Sequence, residues 1–197
     1  MAIDRALIQE LRDRTGLGLM DCRKALEETN GDIEAAVELL RKKGASVAAK
    51  RSDKSTAEGI IVSYIHPGDQ IGVLIELNCE TDFVARTADM RQLANDLCLH
   101  IAALKPLYLE PSQVDEKFLD HERSILKEQL ANSGKPEKML AQIVEGKINK
   151  LYTEICLLQQ PFVKNDQLTV DEAIKQVVAK TGESIKVRRF SRFEIGA

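Results

Sequence analysis

Ile71-Gly72-Val73-Leu74-Ile75-Glu76-Leu77-Asn78-Cys79-Glu80-Thr81-Asp82-Phe83-Val84-Ala85 is the stretch on which the fold turns. Ile71, Val73, Ile75 and Leu77 alternate with their neighbours, the period of a strand with one buried face. Pro67-Gly68-Asp69-Gln70 is a turn, and residues 60–65 before it are a short β-rich run, so a hairpin is predicted. From residue 88 the period changes. Met90, Leu93, Leu97, Ile101 and Leu104 fall on one helical stripe that Pro106 ends. The segment from Asn78 to Ala85 is therefore a strand-to-helix corner. Asp82 suits such a corner as a turn or cap residue. Phe83 does not, because an exposed ring with no partner forfeits its burial energy. Two readings stand. The ring folds back into the core at a helix N-terminus, or acid and ring together form a probe aimed outside the chain.

Working outward, residues 1–45 predict three short helices around one small core. Leu7, Ile8 and Leu11 give one face, and Thr15-Gly16-Leu17-Gly18 breaks that helix. Leu19, Cys22, Ala25 and Leu26 give a second stripe. Asn30-Gly31 is a turn, Asp32 caps a third helix, and Ile33, Val37 and Leu40 recur at helical spacing. Lys42, Lys43 and Gly44 fit its C-terminus, where cations meet the helix dipole. Residues 46–57 lack an apolar period and read as a basic, Ala/Ser-rich linker; its Lys50, Arg51 and Lys54 are suited to steering an acidic partner.

Residues 112–152 predict a helical hairpin. Leu119, Leu126 and Leu130 mark its first helix and Ser133-Gly134-Lys135-Pro136 its break. Leu140, Ile143, Val144, Ile148 and Leu151 mark the second. Residues 156–163 read as an irregular apolar connection. Thr169-Val170-Asp171-Glu172 is a capping box, and Gly182 ends the helix it opens. Residues 185–193 form a last strand whose phase shifts at Arg188-Arg189, the mark of a bulge or two-sided burial. The fold class is α+β. A three-helix module (1–45) and a linker (46–57) precede an antiparallel sheet packed with helices and the hairpin (58–197).

Composition excludes several functions. The 197 residues hold 28 Lys and Arg against 31 Asp and Glu, a net charge of -3. A general nucleic-acid binder carries a basic excess instead. No apolar run approaches the roughly 18 residues of a membrane span, and Met1-Ala2-Ile3-Asp4-Arg5 has no secretory pattern. Cys22, Cys79, Cys98 and Cys156 form no CxxC pair, which speaks against zinc and for reduced, cytoplasmic thiols. There is no phosphate loop, dinucleotide fingerprint or nucleophile elbow. His66, His100 and His121 stand far apart. His100 flanks its helix stripe, where a half-buried ring with one hydrogen bond is expected. No catalytic constellation, metal or cofactor is predicted, and a binding protein is the better class.

Residues 11–26, Leu-Arg-Asp-Arg-Thr-Gly-Leu-Gly-Leu-Met-Asp-Cys-Arg-Lys-Ala-Leu, resemble the translation elongation factor Ts family. So do residues 71–85 quoted above, Ile143-Val144-Glu145-Gly146-Lys147, Gln160-Pro161-Phe162-Val163, and Val187-Arg188-Arg189-Phe190-Ser191-Arg192-Phe193-Glu194. These segments stand in the family's order and span nearly the whole chain. The resemblance implies a guanine nucleotide exchange factor for elongation factor Tu, binding it both GDP-bound and nucleotide-free. It implies a ubiquitin-associated-like N-terminal module docking on the GTPase domain through Met20, Arg23 and Lys24. It places Thr81, Asp82, Phe83 and Val84 near the partner's magnesium, and His100, Phe162 and Val163 near the partner. Under it Phe83 points outward. Arg23 stands where the family most often has Lys, and Leu19 where it has Met.

The chain carries one sheet unit where longer members carry two. Short members pair, so the resemblance implies a homodimer whose interface includes residues 185–193. Two other classes compete. A ubiquitin-associated-like adaptor would use residues 1–45 alone and has no need of an Asp-Phe probe. A small enzyme would use Cys79, but acidic Glu80 and Asp82 raise a thiol pKa, the wrong direction for a nucleophile.

Overall fold

A computed structural model describes residues 3–130 and 136–196, and the fold is α+β. Eight α-helices and five strands lie among these residues. β1 (Glu58–Ile65), β2 (Ile71–Cys79) and β5 (Ile185–Glu194) form an antiparallel sheet in the order β1-β2-β5. The predicted hairpin closes where the His66 amide donates to the Ile71 carbonyl at 2.9 Å. Val73, Ile75, Leu77 and Cys79 of β2 are buried, as the alternation requires. In β5 burial alternates through Val187 and then slips, with Arg188 and Arg189 both exposed. The chain divides into two compact units.

The first unit holds residues up to Val62, Glu76–Ala94 and Glu172–Arg188. It opens with α1 (Arg5–Thr15), α2 (Leu19–Glu28) and α3 (Ile33–Arg51). Asp4 caps α1 by accepting the Ala6 amide, and Asp32 caps α3 by accepting the Ala35 amide at 3.0 Å. Ile8, Leu11, Cys22, Ala25, Leu26, Ala36 and Leu40 make the core between the three helices.

One expectation is corrected here. Gly44 does not end the third helix, which runs on to Arg51 and takes in half of the stretch read as linker. Gly44 is buried inside α3, and a Cβ on it would stand 3.0 Å from the Ala179 Cβ of α8 (Val170–Thr181). The glycine lets two helices approach, and tertiary contact overrides a local stop signal. Gly44→Leu is therefore expected to lower stability by about 1–3 kcal/mol through overpacking, despite removing a helix glycine worth roughly 1 kcal/mol. Urea unfolding measures this, and an unchanged midpoint would remove the close-approach account.

The second unit holds Ser63–Ile75, Asn95–Asp171 and the residues from Arg189. α6 (Glu116–Leu130) and α7 (Glu137–Ile155) bury Leu119, Val144 and Ile148. The break expected at Ser133-Gly134-Lys135 lies outside the described residues. The connection at 156–163 is more regular than expected. β3 (Pro161–Phe162) pairs antiparallel with β4 (Asn165–Thr169). Its two-residue strand is too short to carry an alternation. α8 begins at Val170, directly after Thr169, where the capping signal puts it.

Candidate functional site

Between β2 and α5 (Ala88–Leu104) the corner forms one short helix, α4 (Asp82–Ala85). Its N-cap is Thr81, one residue before the expected Asp82; the hydroxyl accepts the Val84 amide at 3.4 Å. Every polar group of Thr81 is engaged. Its amide donates to Glu183 Oε2 at 3.0 Å and its hydroxyl to Glu183 Oε1 at 2.7 Å. Its carbonyl accepts the Ala85 amide and the Cys79 thiol, the latter at 3.1 Å. Glu80 answers in the other direction. Its Oε1 accepts the Ser184 amide at 2.7 Å, and its Oε2 accepts Arg51 Nη1 at 3.0 Å. Gly182, at φ +75, ends α8 and turns the chain so that Glu183 and Ser184 face this corner.

Two residues beyond that fixed base, Phe83 is 78% exposed, while Val84 is buried and anchors the turn. The folded-back reading of the ring is thus corrected: Val84 fills the inward position and leaves the ring outside. Asp82 pairs with Arg86 at 2.8 Å. Both side chains are mostly exposed, so the pair is weak and leaves the carboxylate open to exchange for another donor.

α2 sorts its residues the same way. Cys22, Ala25 and Leu26 are buried, whereas Leu19 and Met20 are about half exposed and Arg23 and Lys24 lie in solvent. Arg23 Nε donates to Glu27 at 2.8 Å, an exposed i,i+4 pair of small worth. Met20, Arg23 and Lys24 share an accessible surface of apolar and cationic groups.

The second unit treats its three expected residues differently. His100 is 0% exposed and makes two hydrogen bonds, not one. The Val163 amide donates to its Nδ1 at 3.2 Å, which places the ring proton on Nε2, facing Gln160 Oε1 at 2.8 Å. Its ring stacks on Phe162 with centroids 6.0 Å apart. Phe162 is also buried, so of His100, Phe162 and Val163 only Val163 presents substantial surface. His100 and Phe162 lie buried beside it, ring against ring.

Burial lowers the His100 pKa below its ordinary 6.5, partly opposed by the Gln160 hydrogen bond. Below about pH 6.5 the unfolded chain takes up a proton that the folded ring resists. This contribution is therefore complete above that pH and lost as pH falls. The parent is expected to lose more stability than His100→Asn between pH 7.5 and 5.5 in urea titrations. Equal losses would remove the assignment.

Among the described residues no group of three or more His, Cys, Asp or Glu side chains is placed to hold a metal ion. The Cys79 thiol is pushed up, first by burial and then by the Glu183 charge, rather than by the Glu80 and Asp82 expected from sequence. Burial raises Cys98 and Cys156 to about 11. None is poised as a nucleophile. No described helix is long and apolar enough to cross a membrane.

The Elongation factor TS family model matches residues 16–197, which include the clasped corner, the α2 surface and the His100 region. The chain belongs to the elongation factor Ts family. It is 49% identical over 196 residues to the Elongation factor Ts of Syntrophus aciditrophicus (strain SB), covering 100% of this chain and 98% of that one. It is 50% identical over 194 residues to that of Thermosipho melanesiensis, with 98% and 99% covered. It is 52% identical over 194 residues to that of Moorella thermoacetica, with 98% and 96% covered. These elongation factor Ts chains match this one along almost their whole length.

Local pattern gives no hint of the hydrogen bonds that Glu183, Arg51 and Gln160 make at the corner and around His100. Glu183 follows a helix-ending glycine, as a solvated carboxylate often does, and its partner Thr81 is 102 positions away. Arg51 reads as part of a linker, and Gln160 as one polar residue in an apolar run.

Proposed function

We propose that this chain is a guanine nucleotide exchange factor for elongation factor Tu. It binds the GDP-bound partner, disturbs the magnesium and phosphate site, and holds the nucleotide-free form until GTP enters. The observation that carries this reading is the exposed Phe83 ring on a corner whose base is fully hydrogen-bonded. Magnesium ties nucleotide phosphates to a GTPase and demands near-octahedral geometry, so small displacements weaken it strongly. A ring wedged beside that site gains burial energy only as the site yields. Asp82, freed from Arg86, supplies an acceptor that rearranges partner groups. Val84 anchors the turn, Thr81 sets it, and Met20, Arg23 and Lys24 dock on the GTPase domain. Val163 adds a contact in the second unit. The coupling is reciprocal, so nucleotide in turn expels the factor. No covalent bond is made or broken, so the reading calls for no enzyme chemistry or cofactor; the partner is a protein rather than nucleic acid or a membrane, and the site of action is the cytoplasm.

The test is stopped-flow release of a fluorescent GDP analogue from elongation factor Tu in excess magnesium. Strong acceleration by this chain is expected. Binding without acceleration would favour the adaptor reading, in which residues 1–45 act alone.

The factor is further proposed to act as a homodimer. In the second unit Leu74 lies on the face opposite buried Val73 and Ile75, and Ile65, Leu74, Phe193 and Ile195 are all exposed. An uncovered apolar sheet face with an open β5 edge favours a second copy. Sedimentation equilibrium is expected to give a dimer at micromolar concentration, and monomer alone would remove the claim.

A further inference from the structure

We propose that Glu183 is a positioning residue for nucleotide exchange, the principal jaw of a two-carboxylate clasp that aims Phe83. The inference rests on the exchange reading above. Two segments exchange acids for amides: Glu183 takes the Thr81 amide, and Glu80 takes the Ser184 amide. The pattern is reciprocal, so neither segment shifts along the other without breaking charge-assisted hydrogen bonds at both ends. Glu183 has the stricter role. Its two oxygens bind two groups of a single residue, which fixes the orientation of Thr81 as well as its place. By accepting the Thr81 hydroxyl hydrogen it also turns the oxygen's lone pairs toward the Val84 amide, which opens the helix bearing Phe83. Arg51 completes the device by neutralising Glu80 from the end of α3.

Phe83 itself has no such restraint. A wedge whose tip is free and whose base is held loses little conformational freedom when it meets its target. Freed from Glu183, the ring would sample many directions, and productive insertion would become one of several bound arrangements. Docking through other surfaces would persist. The expected signature is therefore a lower rate at saturation with an unchanged half-saturating concentration. A purely structural role would instead lower folding stability or move both parameters.

The experiment compares the full-length parent, Glu183→Ala, Glu183→Gln, Phe83→Ala and the Glu183→Ala/Phe83→Ala double variant in nucleotide release from elongation factor Tu. Glu183→Ala is expected to cut the saturating rate about tenfold, with half-saturation within about twofold. Glu183→Gln, which keeps the shape but loses the charge and one acceptor, is expected to fall between. If Glu183 acts through the ring, Glu183→Ala changes nothing further once Phe83 is Ala. A saturating rate equal to the parent's in Glu183→Ala, or a full tenfold loss in the Phe83→Ala background, overturns the proposal. Amide hydrogen exchange at Thr81 reads the clasp without the partner: about tenfold faster exchange in both Glu183 variants is expected, and parental protection overturns it. A parent that leaves nucleotide release unaltered defeats the exchange reading, whereas this amide measurement still judges the clasp.

Discussion

Phe83→Ala is expected to slow nucleotide release from elongation factor Tu by one to two orders of magnitude at saturating factor. Burying a Phe side chain is worth about 1.5–3 kcal/mol, and each 1.36 kcal/mol of barrier is tenfold in rate. The ring is 78% exposed in the free chain, so its removal changes folding stability by no more than about 0.5 kcal/mol. The division between parameters carries the mechanism. Loss of a ring that serves only to dock raises the half-saturating concentration and leaves the saturating rate alone. Loss of a ring that gains contact as the magnesium site yields lowers the saturating rate itself. A saturating rate equal to the parent's would end the wedge account and leave Phe83 as a docking residue.

Gln160→Leu is expected to cost about 3–5 kcal/mol of folding stability, more than removing most core methyl groups. The Gln160 amide nitrogen donates to the carbonyls of Leu104, at 3.3 Å, and Glu154, at 2.7 Å. Those carbonyls lie in the last turns of α5 and α7, where helices have no internal donor left. One side chain thus caps two helices and, with its oxygen, holds the His100 proton. Leucine matches the volume, takes this donor from both carbonyls and leaves the ring N–H of the fully buried His100 unpaired. Gln160→Glu has a similar shape but sets a negative charge against two helix C-termini, so it is expected to destabilise as well. Urea unfolding of both variants measures the effect. A loss under 1 kcal/mol for Gln160→Leu would mean that water replaces the amide without penalty.

Much of the architecture is legible from local chemistry. The Pro67-Gly68 turn, the Asp32 cap, the alternation in β2 and the stripe of α5 each declare their own element, because turn geometry, capping and burial act over a few residues. The corner at Asn78–Ala85 declares itself by a conflict, an aromatic ring where water is required. What is not legible depends on partners far along the chain. Gly44 reads as a stop signal until Ala179 lies against it. His100 reads as half-buried until Gln160 and Val163 cover it. Glu183 is one more surface acid until Thr81 arrives. Thr81, Phe83 and Val84 stand in a recognisable stretch, whereas Glu183, which holds Thr81 from 102 positions away, does not.

The length of α3 has a mechanical meaning. Its 19 residues, from Ile33 to Arg51, make a strut of about 28 Å at 1.5 Å per residue. One end packs into the three-helix core beside α2, and the other grips Glu80 at the base of the Phe83 corner. A slack tether in its place would give two independent hands, each paying its own search for a foothold. On the docking proposed above, a stiff strut makes them a caliper of set span. Once one jaw seats, the other would be delivered at a fixed local concentration. Such an instrument is gauged to one object, and adding a single residue to the strut would swing one jaw roughly a quarter-turn out of line.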